Sequence, residues 1–161
     1  MDLGLGTCGQ IIDNFDATSV SRDQTSPVIA GQDILIVEDQ ALIALDMEGL
    51  LLDLGARECW LVPSVFDALK LLETTKLSLA VVDFNLGHET SEAVADRLTE
   101  LAVPFVFFTG YGERLHVPDR FAGIPIVSKP VVTETLLAKI ALAQLGQGTS
   151  TKSGECHSPV R

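Results

Sequence analysis

The sequence predicts an α/β fold in which helices cover both faces of a five-stranded parallel sheet. Three observations support this prediction. Short apolar segments alternate along the chain with longer segments whose apolar residues recur at helical spacing. The short segments show no alternation of polar and apolar residues, as expected for strands buried on both faces. Five such strands suit the doubly wound order 2-1-3-4-5.

The predicted strands are runs of apolar and β-branched residues. In chain order they are residues 34–37, 59–62, 79–82, 105–108 and 126–127. The first predicted helix covers residues 41–54 and ends at Gly55, because glycine commonly follows the last turn of a helix. Ser64 is the predicted N-cap of the second helix. The third helix covers residues 93–101, and Thr133 caps the last, which continues to residue 145.

Three parts of the chain lack a sustained period. The segment between Gly110 and Pro125 contains two further glycines and a proline, so a fourth helix there should be short or mobile. The composition of residues 1–31 and their lack of a sustained period predict a disordered N-terminal extension. The composition of residues 146–161 predicts a flexible tail. We therefore expect one domain, residues 32–145.

Composition excludes several classes of function. The formal charge of −11 repels nucleic-acid phosphates, so we expect no binding to DNA or RNA. No apolar stretch is long enough to cross a bilayer, and the N-terminus lacks a basic and apolar leader. The three cysteines are not spaced as metal ligands. These features predict a reduced, cytoplasmic protein without a membrane partner.

Polar residues that can act in binding or catalysis follow four of the predicted strands. Glu38 and Asp39 follow the first strand, Asp83 the third and Thr109 the fourth, while Lys129 comes just after the fifth. Because the carboxyl ends of parallel strands meet at one edge of a sheet, where ligands bind, these side chains should converge. Each has a structural explanation when taken alone, as a helix cap, a turn residue, a strand end or a solvated lysine. Their joint placement favours a site.

The chemistry of these residues predicts phosphoryl transfer. Three crowded carboxylates need a cation, and a hard ion with oxygen ligands, Mg²⁺, suits them better than Zn²⁺. Asp83 is then the expected nucleophile, since carboxylates form aspartyl phosphates. Lys129 would neutralise the phosphoryl oxygens, and the Thr109 hydroxyl would donate a hydrogen bond to them.

With these motifs in place, the sequence resembles the receiver domains of two-component response regulators over roughly residues 33–145. The matching stretches are residues 34–39, 81–83, 108–110 and 128–130. The resemblance implies the flavodoxin-like receiver fold and a phosphate on Asp83, donated by a histidine kinase or histidine phosphotransfer protein. It implies that Asp39 binds Mg²⁺ directly, Glu38 through water and Asn85 through its backbone carbonyl. Receivers are not enzymes beyond their own phosphorylation and dephosphorylation, and their Lys–Pro peptide is often cis.

A narrower resemblance is to stand-alone response regulators with a Phe-x-Thr-Gly-Tyr-Gly motif, which covers residues 107–112 here. In this chain Phe108 replaces the usual small residue. Val131 replaces an aromatic residue after the Lys-Pro pair, and Ile126 replaces the aromatic residue that rotates in many receivers. We therefore hypothesise that Thr109 and Tyr111 form the switch. Output would go to a downstream protein by direct contact or onward phosphotransfer, and Leu42 and Leu45 are candidate docking residues for a kinase.

Three other interpretations fit the residues less well. A nucleotide- or flavin-binding module would need a glycine- or hydroxyl-rich loop where Glu38 and Asp39 stand. A phosphatase that forms an aspartyl phosphate would need a second aspartate at the position of Asn85. A degenerate receiver that acts only as a scaffold would not need all of the site residues.

Overall fold

The computed structural model of the protein describes residues 28–110 and 117–146. The strands are β1 (Asp33–Val37), β2 (Glu58–Val62), β3 (Leu79–Asp83), β4 (Asn85–Leu86), β5 (Glu89–Thr90), β6 (Phe105–Thr109) and β7 (Ile126–Ser128). The helices are α1 (Ala41–Asp53), α2 (Val65–Thr74), α3 (Glu92–Glu100) and α4 (Thr133–Gly146), with a 3₁₀ turn at Asp119–Phe121.

Five strands form one parallel sheet in the order β2-β1-β3-β6-β7. This arrangement confirms the predicted fold and the predicted order 2-1-3-4-5. Every residue of the central strand β3 and of its neighbour β6 is buried. That explains why their sequences, LAVVD and FVFFT, show no polar alternation before the last residue.

The side chains of the sheet enter two hydrophobic cores, one on each face. Alternate residues of β1 point to opposite faces, as the strand period requires. Ile34 and Ile36 pack in the core that α1 and α4 cover, whereas Leu35 and Val37 pack in the core under α2 and α3. We call these the α1/α4 core and the α2/α3 core. The predicted helices on both faces are therefore confirmed.

The predicted helix ends agree with the structure to within one or two residues. Helix α1 is followed by Leu54 as its C-cap and by Gly55 at a φ of 101°, a conformation that glycine adopts at little cost. Ser64 caps α2, since its hydroxyl accepts a hydrogen bond of 3.1 Å from the Asp67 N–H. Helix α3 begins at Glu92, one residue before the predicted start.

Two features of the fold differ from the sequence prediction or add to it. The antiparallel hairpin of β4 and β5 was not predicted, because two-residue strands are too short to show a period. Within the described part of the fourth-helix segment, residues 117–125, the only helix is the 3₁₀ turn Asp119–Phe121. Arg120 attaches this turn to α3 through ion pairs with Asp96 and Glu92.

The folded part of the chain begins before residue 32, the predicted start of the domain. Residues 28–31 form a turn, and Ile29 is fully buried in the α1/α4 core. The Gln144 side-chain amide donates a hydrogen bond of 3.1 Å to the Val28 carbonyl, which holds the turn against α4. Residues 1–27 and 147–161 lie outside the described part of the chain. Across the described residues, none of the helices combines the length and apolar character needed to span a membrane.

The thiol of Cys59 should react slowly in the folded protein. Burial raises the pKa of this thiol to about 11, with smaller contributions from Glu48 and Glu58. Only the thiolate is nucleophilic, so alkylation at pH 8 should be roughly a hundredfold slower than for a thiol of ordinary pKa. Peptide mass spectrometry after timed iodoacetamide treatment measures the rate at Cys59. The same treatment in denaturant should restore fast labelling, and equal rates in both conditions would contradict the prediction.

Candidate functional site

The carboxyl ends of four parallel strands lie in register at one edge of the sheet. In the sheet register Val37 pairs with Val82, Asp83 with Phe108, and Thr109 with Ser128. Glu38 and Asp39 follow β1 directly, Asp83 and Thr109 are the last residues of β3 and β6, and Lys129 follows β7. The structure therefore brings these residues to one place.

Glu38, Asp39 and Asp83 form a compact acidic cluster. Each can offer one carboxylate oxygen such that the three atoms lie within 4.8 Å of one another. Glu38 and Asp83 are only 3% and 4% exposed, whereas Asp39 is exposed at the surface. Two nearly buried carboxylates at this distance repel each other unless positive charge compensates them.

Lys129 supplies positive charge to this cluster. Its Nζ donates hydrogen bonds of 2.6 Å to Glu38 Oε2 and 2.5 Å to Asp83 Oδ2. Its backbone N–H donates to the Thr109 carbonyl at 2.7 Å, which fixes the start of the loop after β7. The Lys129–Pro130 peptide bond is cis, as the resemblance to receivers implies.

The pKa shifts of Glu38 and Lys129 follow from burial and from neighbouring charges. Burial raises the pKa of Glu38 and the nearby Asp83 carboxylate adds to this, while the hydrogen bonds from Lys129 and from the Gln40 N–H oppose it. Burial alone would lower the pKa of Lys129, but its hydrogen bonds to Asp83 and Glu38 outweigh that effect and raise its pKa. Lys129 is therefore an ammonium at neutral pH.

The hairpin after β3 closes the other side of the cluster. The Asn85 N–H donates a hydrogen bond of 3.0 Å to Asp83 Oδ1, so both oxygens of Asp83 have partners. At the turn of the hairpin, Gly87 has a φ of 63°, and a Cβ there would lie 3.5 Å from Asp39 Oδ2. The metal-binding role of the Asn85 carbonyl stays a prediction.

The remaining predicted residues are Thr109, Leu42 and Leu45 of α1, and Tyr111. Thr109 is buried at the end of β6, and its role toward a phosphoryl group stays a prediction. Leu42 and Leu45 are exposed on the first turns of α1, near the acidic cluster. Tyr111, the proposed switch partner of Thr109, lies outside the described residues.

Two neighbours of the site were missed by the sequence analysis as site residues. Lys129 Nζ lies 4.9 Å from the centroid of the Phe108 ring. Gly87 lies near Asp39, since a Cβ added at Gly87 would come into van der Waals contact with Asp39 Oδ2. The sequence carries a signal for Phe108, because it is a large residue where the motif usually has a small one. No sequence pattern indicated that Gly87 lies near Asp39.

The donor set of the cluster fits a hard divalent cation. All three side chains offer carboxylate oxygens, the ligands that Mg²⁺ prefers. The three carboxylates and the Lys129 ammonium leave a formal charge of minus two, which one divalent ion would neutralise. Among the described residues, the cluster contains no histidine or cysteine that would favour a softer metal.

The sequence of the chain is similar to that of a known regulator. No protein-family profile matches the chain. The chain is 32% identical over 129 residues to the phyllosphere-induced regulator PhyR of Methylorubrum extorquens. That alignment covers 78% of this chain and 48% of the relative, so the chain spans about half the length of that curated protein.

Two solved structures resemble the chain over nearly their whole length. The BeF₃-activated conformation of SdrG from Pseudomonas melonis Fr1 is 34% identical with a TM-score of 0.60, covering 71% of this chain and 98% of SdrG. The receiver (REC) domain of the PhyR response regulator from Erythrobacter litoralis is 29% identical with a TM-score of 0.61, covering 76% and 97% of the two chains. Fold, site geometry and these relatives together show that the chain belongs to the response regulator receiver-domain family.

Proposed function

We propose that this receiver domain accepts a phosphoryl group on Asp83, with Mg²⁺, in a two-component phosphorelay. The observation that carries the proposal is the position of Asp83. Its carboxylate ends the central strand β3, stands beside Glu38 and Asp39, and accepts a hydrogen bond from the Lys129 ammonium. This arrangement combines a nucleophile, a set of oxygen ligands and a fixed cation.

The residues of the cluster have separate tasks in this proposal. Glu38, Asp39 and Asp83 would hold Mg²⁺ together with the Asn85 carbonyl, and the ion would neutralise negative charge on the carboxylates and phosphoryl oxygens. An oxygen of Asp83 attacks phosphorus while the bond from phosphorus to the donor's leaving group breaks. Lys129 exchanges its hydrogen bond to Asp83 for one to a phosphoryl oxygen. The Thr109 hydroxyl donates to another phosphoryl oxygen, and the developing charge is spread over these contacts.

The phosphoryl donor would be a histidine kinase or a histidine phosphotransfer protein, in which the bond that breaks joins phosphorus to an imidazole nitrogen. SdrG supports the chemistry, since it adopts an activated conformation with BeF₃, a mimic of a phosphoryl group. Exposed Leu42 and Leu45 on α1 offer a docking surface beside the acidic cluster. A groove of about 270 Å³ between α1 and the end of β2 lies next to them. The protein would work in the cytoplasm, catalyse only its own phosphorylation and dephosphorylation, and signal through a downstream protein.

Intact-mass measurement after incubation with acetyl phosphate and Mg²⁺ tests the proposal. We expect one labile phosphate adduct, which disappears when the metal is chelated and does not form in Asp83→Asn. Asp53→Asn is the matched control, because Asp53 is an exposed carboxylate at the other end of α1, and this variant should be labelled normally. Unlabelled wild-type protein under conditions that label a known receiver would overturn the proposal. Persistent labelling of Asp83→Asn would do the same.

A further inference from the structure

Phe108 occupies a position between the reactive strand and the strand that leads to Lys129. In the register of the sheet it pairs with Asp83 of β3 on one side and Val127 of β7 on the other. Its side chain is buried and belongs to the α1/α4 core. From this position its ring contacts the Lys129 ammonium, with Nζ 4.9 Å from the ring centroid.

Lys129 must cross the end of β6 to reach the acidic cluster. It follows β7, whereas its partners Asp83 and Glu38 lie at the ends of β3 and β1, with β6 between them. Neighbouring strands are about 4.8 Å apart, so the side chain extends over at least one strand width. A lysine stem has considerable rotamer freedom, and holding it extended requires contacts along its path.

The Phe108 ring provides such a contact of a specific kind. An ammonium within about 6 Å of a ring centroid is attracted by the negative face of the ring, and the attraction is stronger where water is excluded. The Lys129 side chain is 16% exposed, so the contact is largely shielded from solvent. A leucine could fill much of the same volume but has no such face. The aromatic character of residue 108 is therefore the property that distinguishes this contact from ordinary packing.

We propose that Phe108 is a positioning residue that holds the Lys129 ammonium at Asp83, ready to contact the incoming phosphoryl oxygens. This inference rests on the proposed function. The competing explanation is that Phe108 only packs, since it also lines a groove of about 470 Å³ together with Met47, Lys129 and Val131. The two explanations differ in whether the charge distribution of the ring matters at constant shape.

Stepwise fluorination of the Phe108 ring separates the two explanations. One, two or three fluorines weaken the negative face in steps while the shape stays nearly constant. We expect the rate of adduct formation from acetyl phosphate to fall in the same steps, reaching about tenfold with three fluorines. Phe108→Leu should be as slow, and Phe108→Tyr should keep the wild-type rate. In parallel, the NMR signals of the Lys129 side chain should shift progressively along the series, whether or not phosphate is added.

Phe105 is the matched control. It is buried on the same strand but packs in the α2/α3 core, and fluorinating its ring should leave the rate and the Lys129 signals unchanged. Normal labelling with rates within twofold across the Phe108 series would overturn the inference and leave the proposed function standing. Unmoved Lys129 signals would also overturn it. Failure of wild-type protein to form the adduct would overturn the proposed function, and this inference with it.

Discussion

Lys129→Met should lower the free energy of unfolding by about 2–3 kcal/mol at pH 8 in the absence of metal. The variant leaves Glu38 and Asp83 nearly buried without the ammonium that bonds both. Breaking a fully buried ion pair costs about 3–5 kcal/mol, and the partial exposure of Lys129 reduces that figure here. Urea unfolding of wild type and variant measures the difference.

The loss of stability in Lys129→Met should depend on pH. Burial already raises the pKa of Glu38, and removal of the ammonium that opposes this raises it further. A carboxyl whose pKa is raised in the folded state stabilises the fold when protonated, and that contribution disappears as the pH rises through the folded-state pKa. The variant should therefore lose less stability at pH 5 than at pH 8.

Mg²⁺ should stabilise Lys129→Met more than it stabilises wild type. In the variant the divalent ion would be the only positive charge in the acidic cluster, whereas in wild type it shares that role with the ammonium. The control is Lys76→Met, since Lys76 is exposed and this variant should match wild type in every condition. If Mg²⁺ stabilised Lys129→Met and Lys76→Met equally, the result would contradict the inference that Lys129 compensates the negative charge of the acidic cluster.

The sheet and its order were predictable because the strands are buried on both faces. Apolar runs such as residues 34–37 and 105–108 favour the interior of a sheet that is covered on both faces. The helical segments between them predict parallel connections through helices. The hairpin of β4 and β5 was not predictable, since its four strand residues show no period. The turn at residues 28–31 was missed because the apolar run of residues 28–30 is too short to show a helix or strand period.

The meeting of the site residues was predictable for a geometric reason. Once the sheet is parallel, residues that follow its strands must share one edge, so the sequence alone places Asp83, Thr109 and Lys129 together. Which partners Lys129 selects was not predictable, because that depends on rotamers and on the register of three strands. The contact with Phe108 depends on the same details. The switch hypothesis for Tyr111 stays a prediction.

Phe107→Ala should cost about 4 kcal/mol of unfolding free energy, more than any other substitution considered above. Phe107 is fully buried in the α2/α3 core and meets three rings edge to face. The centroid distances are 5.2 Å to Phe84, 5.4 Å to Phe105 and 5.8 Å to Phe121. Truncation removes the burial of one ring and three favourable ring pairs, and a rigid sheet cannot close the cavity that remains.

Phe66→Ala is the matched control, because Phe66 is 73% exposed and its removal should change stability by less than about 0.5 kcal/mol. Phe107→Leu should fall between the two, since it keeps part of the volume and loses the ring pairs. The Phe107 ring also joins Phe84, the neighbour of Asp83, to Phe121 in the 3₁₀ turn after β6. Weakening these ring contacts should therefore loosen both segments, seen as faster amide exchange at Phe84 and Phe121. A cost below about 1 kcal/mol for Phe107→Ala would contradict this packing.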